Sequence, residues 1–400
     1  TSTLHLRLCP SHSSKSILRM CSHGRFFCCL WPDLPDKANF DAAFQRLSTE
    51  FPGHVSDTLF TYLCDDFHRL PERGVHSRLV HSMSRKVTRW WDNKRLCARM
   101  LQGGNCESAF ALTFTTAFQA WQSTLHDPSA LFYIKEEEQT RGVGMQVVAR
   151  DKLLTLRLSQ SQIIQQAIQD IQLIDGRKFV IRYYLLFHNK KLFLHRRGAV
   201  IVHGELYDRQ STDHHVQIMH DFDQPVPKAR LLVMHAQSRA REWHSAIARR
   251  IYEIMPALKP LIDASSQDCY ALIGGDALIE ASGQARLLEF NHFPAMFAKC
   301  KEFNEIVSQA VLHDLIGKVL LGASNEFDEL QQPPSTCVQQ SCLVDAGTRY
   351  PMATASWYPP GPRLQGEMTS RPLQVGNHHA VDCSRRMQMP AVSLATMHVV

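Results

Sequence analysis

Three regimes of apolar spacing divide the chain. Residues 33–130 carry a mixed, mostly helical pattern. It includes "RKVTRWWDNKRLCARML" from Arg85 to Leu101, with a basic face and a tryptophan pair. From about 131 the pattern turns to short apolar or alternating runs bounded by turn residues. "LFYIK", "QVVA", "QIIQQAI", "RKFVIRYYLLF" and "KLFLHRRGAVIV" read as strands, the last two separated by the turn-like "HNK". "REWHSAIARRIYEIM" puts Trp243, Ile247, Ile251 and Ile254 at helical spacing. "YALIGGDALIEASGQARLLEFN" reads as strand, short turn, strand. "KEFNEIVSQAVLHDLIGKVLLG" reads as a helix with Phe303, Ile306, Val307, Ala310 and Leu315 on its apolar side and Gly322 as its stop. Beyond about 323, Pro, Gln, Ser and Gly accumulate without a period, so 323–400 is expected to be a largely disordered tail.

Composition narrows the class. The chain has 400 residues, 44% hydrophobic and 20% charged, long enough for one large domain or several small ones. A formal charge of +6 allows an acidic partner without demanding one. No apolar run approaches the ~18 residues of a membrane span, so no membrane role is expected. The 12 Cys form no CxxC pairs, which argues against a zinc ribbon and for reduced, intracellular thiols. The 21 His are scattered, with no metal-binding spacing. Residues 1–32 lack Asp and Glu and are rich in Ser and Cys. They are read as a poorly ordered N-terminal segment, a transit peptide being the alternative. The region 131–322 carries the sharpest strand and helix signals.

Three constellations carry candidate chemistry. In the strand–turn–strand, a loop at Ala281–Gln284 would pair Glu280 with Ala285 and Leu278 with Leu287. Asp276 then falls opposite Glu289, and Asn291 shares the face of Glu289. Like charges that close destabilise a sheet unless a hard divalent cation turns repulsion into coordination. A solvated face is the alternative. In "DGRKFVIRYYLL", Lys178, Val180 and Arg182 share one face and Phe179, Ile181 and Tyr183 the other. "LHRRG" adds Arg196 and Arg197. These cations suit phosphate groups, or else protect an edge strand by charge. In "YIKEEEQTRGVGM", Lys135 ends a strand and Gly142 and Gly144 flank Val143, a loop able to close over phosphates. The basic Arg85–Arg95 stretch is either a patch for an acidic polymer or a solvated helix face.

The order Lys–Gly loop, Lys/Arg strand, Asp…Glu-x-Asn resembles the ATP-grasp ligases, and within them the tubulin–tyrosine ligase-like family. "LIDGRKFVIRYYLL" is similar to the family's signature strand, and "GGDALIEASGQARLLEFNHFP" to its metal hairpin. The resemblance runs from about 85 to 320 and is strongest over 163–297. It implies an α/β (α+β) ATP-grasp fold, with the nucleotide held between two β-sheet lobes and flanked by helices. It implies Asp276, Glu289 and Asn291 as Mg²⁺ ligands. ATP contacts would come from Lys135, Arg141, Gly142, Gly144, Lys178 and, at the adenine, Gln165. Arg182 and Arg196 would stabilise an acyl-phosphate intermediate. The implied reaction joins an amino acid, with glutamate expected from "LIDGRKF" and "NHFP", to a carboxylate of tubulin. Tubulin or microtubules and a free amino acid would be the partners of a monomeric, cytoplasmic, cytoskeletal or ciliary protein. No nucleic acid is implied. Three departures stand out: Val180 where the family has Asp, Glu136 where Pro is usual, and "HHVQI" at 214–218 where the family has His-x-Thr-Asn. They leave open a member that binds nucleotide or microtubules without ligating, and an ATP-grasp ligase with another acceptor.

Overall fold

The structure, a computed structural model, describes residues 17–20, 27–30, 37–51, 58–61, 78–103, 106–137, 144–218 and 229–331, apart from 297, 299 and 324. The chain divides into two units, 1–340 and 341–400, and every described residue lies in the first. Among these residues the strands form two sheets, one of 12 strands and one of four. The two-lobed α/β architecture expected from the sequence is present.

The large sheet is organised on the strand Arg177–His188, buried along nearly all of its 12 residues. One side pairs with Cys269–Ile279. The other pairs with Ala199–Val202 toward its start and with Lys191–His195 toward its end. This strand is therefore central, and the charged-edge reading of Lys178 and Arg182 is corrected. Its two ends turn tightly through residues with positive φ, Asp175 and Gly176 before it and Asn189 and Lys190 after it. These are residues that fit the hairpin turns matched to strand twist. Both faces are covered, as a central strand requires. Phe179, Ile181, Tyr183 and Leu185 pack with Trp243, Ile247, Ile251 and Ile254 of the helix Ala240–Ala264. On the opposite face Tyr184 and Leu186 pack with Phe303, Val307, Val311 and Leu315 of the C-terminal helical stretch. That stretch ends at Gly322 in the left-handed conformation, as its sequence predicts. No described helix is long and apolar enough to cross a membrane.

Several expectations are corrected. "KLFLHRRGAVIV" is two strands, not one, because the chain breaks at Arg196–Gly198 to change pairing partners. Gly198 allows the break: a Cβ there would lie 2.5 Å from the Arg182 carbonyl oxygen. Two strands, Ile17–Met20 and Phe27–Leu30, lie within the N-terminal segment read as poorly ordered. Phe327–Glu329, within the segment read as tail, pairs with Lys191–His195 at the sheet edge.

That edge is tied to the helix Gln309–Leu321 through Asp314. Its carboxylate accepts from His195 Nε2, from His313 Nδ1 and from the Glu326 N–H, each at 3.1 Å. His195 is fully buried, and its Nδ1 accepts the Arg197 N–H. Arg197 in turn forks onto Glu326. His195, Asp314 and Glu326 are close enough to hold a metal, but their donor atoms are already spent on one another and on Arg197. The cluster is a structural brace.

The small sheet holds Thr113–Phe114, Gln162–Gln166, Leu131–Glu136 and Gln146–Ala149 in that order. It joins the large sheet through a short linker. Phe110 bridges to Leu287, the Ala111 N–H donates to the Leu287 carbonyl, and the Leu112 carbonyl accepts from Gln166 N–H.

Candidate nucleotide and metal site

The hairpin Cys269–Ile279/Ala285–His292 brings Asp276 opposite Glu289 and Gly274 opposite Asn291. The carboxylate pairing follows the sequence, but by another route. Near the turn Ile279 pairs with Ala285, Leu278 with Arg286 and Ala277 with Leu287, one residue off the expected register. A bulge at Leu288 then absorbs the extra residue and restores Asp276 to Glu289. The bulge also turns the Leu288 carbonyl to accept from Gln165 Nε2 at 3.2 Å.

Arg182 lies directly across the next strand pair from Asp276 and forks onto its two oxygens at 2.5 and 2.9 Å. Burial pulls the Arg182 guanidinium down, but the Asp276 charge and hydrogen bonds hold it above its ordinary value. Glu289 faces Lys94 at 3.8 Å and takes a 3.4 Å contact from Asn291 Nδ2. Burial raises its carboxyl, and the charges of Lys135, Lys94 and Arg182 overcome that and hold it below the usual range.

Two buried lysines of the opposing sheets complete the cluster. Lys135 Nζ donates to Gln165 Oε1 at 2.7 Å. Burial lowers its pKa, while Glu289 supports its charge. Lys178 Nζ donates to Tyr133 Oη at 2.7 Å and to the Gln217 carbonyl at 2.8 Å. Burial, and then repulsion from Lys135, pull it down to about 7. Both ammonium groups lie over the Tyr133 ring, 5.7 and 5.0 Å from its centroid.

Lys135, Gln165, Lys178, Arg182, Asp276, Glu289 and Asn291 are thus brought together. Gln165 is spent inside the protein: besides Lys135 and Leu288 it reaches Thr113 Oγ1. Gly144 sits in a turn at positive φ just before the strand Gln146–Ala149. Arg141 and Gly142 lie outside the described residues. Arg196 does not join the site. Its exposed side chain forks onto Asp328 at the sheet edge, because the chain break at 196–198 aims it away. Val180 lies on the face of Lys178 and Arg182 but in an apolar cluster with Ile171 and Leu278, and it pairs across strands with Ile201. Introducing Asp there buries a carboxylate among those side chains. Val180→Asp is expected to lower unfolding free energy by about 3 kcal/mol in a urea titration. Sequence reasoning missed Lys94, Tyr133 and Gln217. Gln217 offers an amide within the altered 214–218 segment, a signal available only once the segment is placed against Lys178.

The residues fit a metal nucleotide. Asp276, Glu289 and Asn291 form an all-oxygen donor set of the kind Mg²⁺ takes. Lys94, Lys135 and Arg182 act on Glu289, Lys178 lies beside Lys135, and a phosphate chain would supply negative charge to this basic cluster. Binding a metal at Asp276 would exchange its pairing with Arg182. A cavity of about 190 Å³ opens beside Glu289 and Gln165, walled by Trp91, Leu112, Phe114 and Leu288.

Residues 89–221 match the model of the tubulin-tyrosine ligase family. Among curated proteins the chain is similar to a human protein named "Inactive polyglycylase TTLL10", 26% identical over 239 residues, which are 50% of this chain and 35% of that one. It is similar to a Macaca fascicularis "Protein polyglycylase TTLL10", 26% identical over 182 residues, 39% of this chain and 29% of that one. A Rattus norvegicus protein of the same name is 23% identical over 239 residues, 50% of this chain and 35% of that one. The chain spans about a third of the length of these relatives.

Proposed function

We propose, from the match of residues 89–221 to the tubulin-tyrosine ligase family, that the chain is an ATP-dependent carboxylate–amine ligase of that kind, adding an amino acid to a carboxylate of tubulin. One observation carries this reading: Asp276, Glu289 and Asn291 share a cleft with two buried lysines of the opposing sheets. Lys135 and Lys178 bind and orient the nucleotide phosphates. Asp276, Glu289 and Asn291 hold Mg²⁺, which when bound offsets charge developing on the transferred phosphoryl group. Arg182, released from Asp276, stabilises negative charge on the reacting carboxyl. The acceptor is an acidic tail met by the helix Arg85–Asp92, whose Arg85, Lys86, Arg89 and Trp90 are exposed. Such an activity places the protein on cytoplasmic or ciliary microtubules. The glutamate expected from the sequence has no support from the relatives, whose names point instead to glycine.

Glu289→Gln removes one metal-binding charge without changing size. With Mg·ATP at a hundredfold excess over its dissociation constant, wild type should gain about 2.7 kcal/mol of stability. The gain should disappear in Glu289→Gln, read as the thermal-shift difference. An equal shift in both proteins would sink the metal assignment. Mass spectrometry of tubulin incubated with glycine or glutamate then identifies the amino acid.

A second reading, a member that binds nucleotide without ligating, is favoured by the Val180–Ile201 pair. It leaves an apolar patch between Lys178 and Arg182, where the family has a carboxylate. A nucleotide-dependent shift with no change in tubulin mass would select it.

A further inference from the structure

The contacts of Lys178 leave one valence open. A charged ammonium carries three hydrogens. Lys178 Nζ has two acceptors, Tyr133 Oη and the Gln217 carbonyl, and no third is recorded among the described residues. Tyr133 in turn donates to Gln217 Oε1 at 3.1 Å, and Gln217 Nε2 donates to the Asp208 carbonyl at 2.8 Å. Gln217 and Tyr133 thus close a bracket around Nζ that a neutral amine satisfies with its two hydrogens. Lys178, Gln217 and Tyr133 are all buried.

The surroundings do not supply a counter-charge. The titratable and charged groups on the elements around Nζ are Tyr133, Lys135 and Glu136 on the small sheet, Arg177, Arg182, Tyr183, Tyr184 and His188 on its own strand, His203 after Ala199–Val202, Glu205, Tyr207, Asp208 and Arg209 on the following loop, and Asp213, His214 and His215 beyond it. Asp208 turns its carboxylate to the Gln210 N–H. No described carboxylate bonds Lys178, and Lys135 repels its charge.

We propose that Tyr133 and Gln217 are positioning residues that fix Lys178 Nζ in a buried bracket with only two neutral acceptors and no counter-charge, so that it is a neutral amine before nucleotide binds and binding of a nucleotide diphosphate group is coupled to uptake of one proton by Lys178. A phosphate oxygen supplies both the missing third acceptor and the missing negative charge. The proton comes from solvent and ends on Nζ, and no covalent bond is made or broken. The proposal rests on the nucleotide-binding reading above.

The test is calorimetric titration of the full chain with Mg·ADP in two buffers of different ionisation enthalpy, which counts protons directly. With Lys178 titrating at about 7 in the free protein, uptake should be about 0.9 of a proton at pH 8, falling to about a quarter at pH 6.5. Gln217→Glu places a carboxylate against Tyr133 and beside Nζ, keeping Lys178 charged. Its uptake at pH 8 should fall to near zero while binding persists, a change that a purely structural role would not produce. Saturable binding without uptake in wild type overturns the proposal and leaves the nucleotide reading intact. Undiminished uptake in Gln217→Glu overturns the role of the bracket. Should that variant not fold, the two wild-type pH values decide the matter alone. No binding heat at either pH overturns the nucleotide reading and the proposal together.

Discussion

Lys178→Met is expected to give a protein that is more stable than wild type and blind to nucleotide. Burial holds the Lys178 amine at about 7, against an ordinary value of 10.5. At neutral pH that depression corresponds to ~5 kcal/mol of unfavourable free energy. Met fills a similar volume without a charge. Its substitution strands the Tyr133 and Gln217 acceptors, which returns ~1–3 kcal/mol. The net expectation is a gain of about 2–3 kcal/mol at pH 7. The sign follows from proton binding. Between about 7 and 10.5 the unfolded chain binds more protons at this lysine than the folded one, so wild-type stability rises with pH in that window and the variant's does not. Urea midpoints at pH 7 and pH 9.5 should therefore converge. A variant less stable than wild type at pH 7 would mean that the amine is well accommodated and the burial argument wrong. The accompanying loss of the Mg·ADP-induced thermal shift shows what the strain is kept for.

Asp314→Ala should act in the opposite direction and far from the nucleotide. The Asp314 carboxylate is the common acceptor for His195, His313 and the Glu326 N–H. Removing it leaves a fully buried imidazole donor without a partner and releases the strand Phe327–Glu329 from its helix. A loss of about 1–3 kcal/mol is expected, the cost of leaving a buried donor unsatisfied. Burial raises the Asp314 carboxyl, but hydrogen bonds from His195 and His313 overcome it and hold it well below 3.8. Its contribution is present above its unfolded pKa and is lost as pH falls below about 4. Wild type should thus lose stability toward acid more steeply than the variant. The check is a urea series from pH 7 to pH 3, in which parallel curves would count against the brace.

The sequence made the individual strands and the facing carboxylates legible, because each depends on local alternation and turn chemistry, but not the central place of Arg177–His188, which depends on its partners in the sheet. "DG" and "NK" turns fixed the ends of Arg177–His188. Asp276 and Glu289 met because two errors cancelled: the turn slipped by one residue and the Leu288 bulge slipped it back. Spacing cannot reveal a bulge, since it is set by what packs beside the strand, here Gln165 and the linker. The resemblance alone implies Arg196 for the site, and the break at 196–198 turns it away. That break depends on a close through-space approach of Gly198 to the Arg182 carbonyl, which no local pattern encodes. Tyr133 and Gln217 are 84 positions apart, and neither is unusual until Lys178 is placed between them.

The linker is the remaining feature with a consequence. Ala111 holds the large sheet at Leu287, and its neighbour Leu112 holds the small one at Gln166. Between them Gln165 touches both the Leu288 carbonyl and Lys135. The two sheets are thus indexed to each other like the scales of a vernier, with the bulge as the zero mark. A single inserted residue at 111–112 would move Lys135 relative to Glu289 while leaving each sheet intact, and would uncouple the phosphate side of the cleft from its metal side.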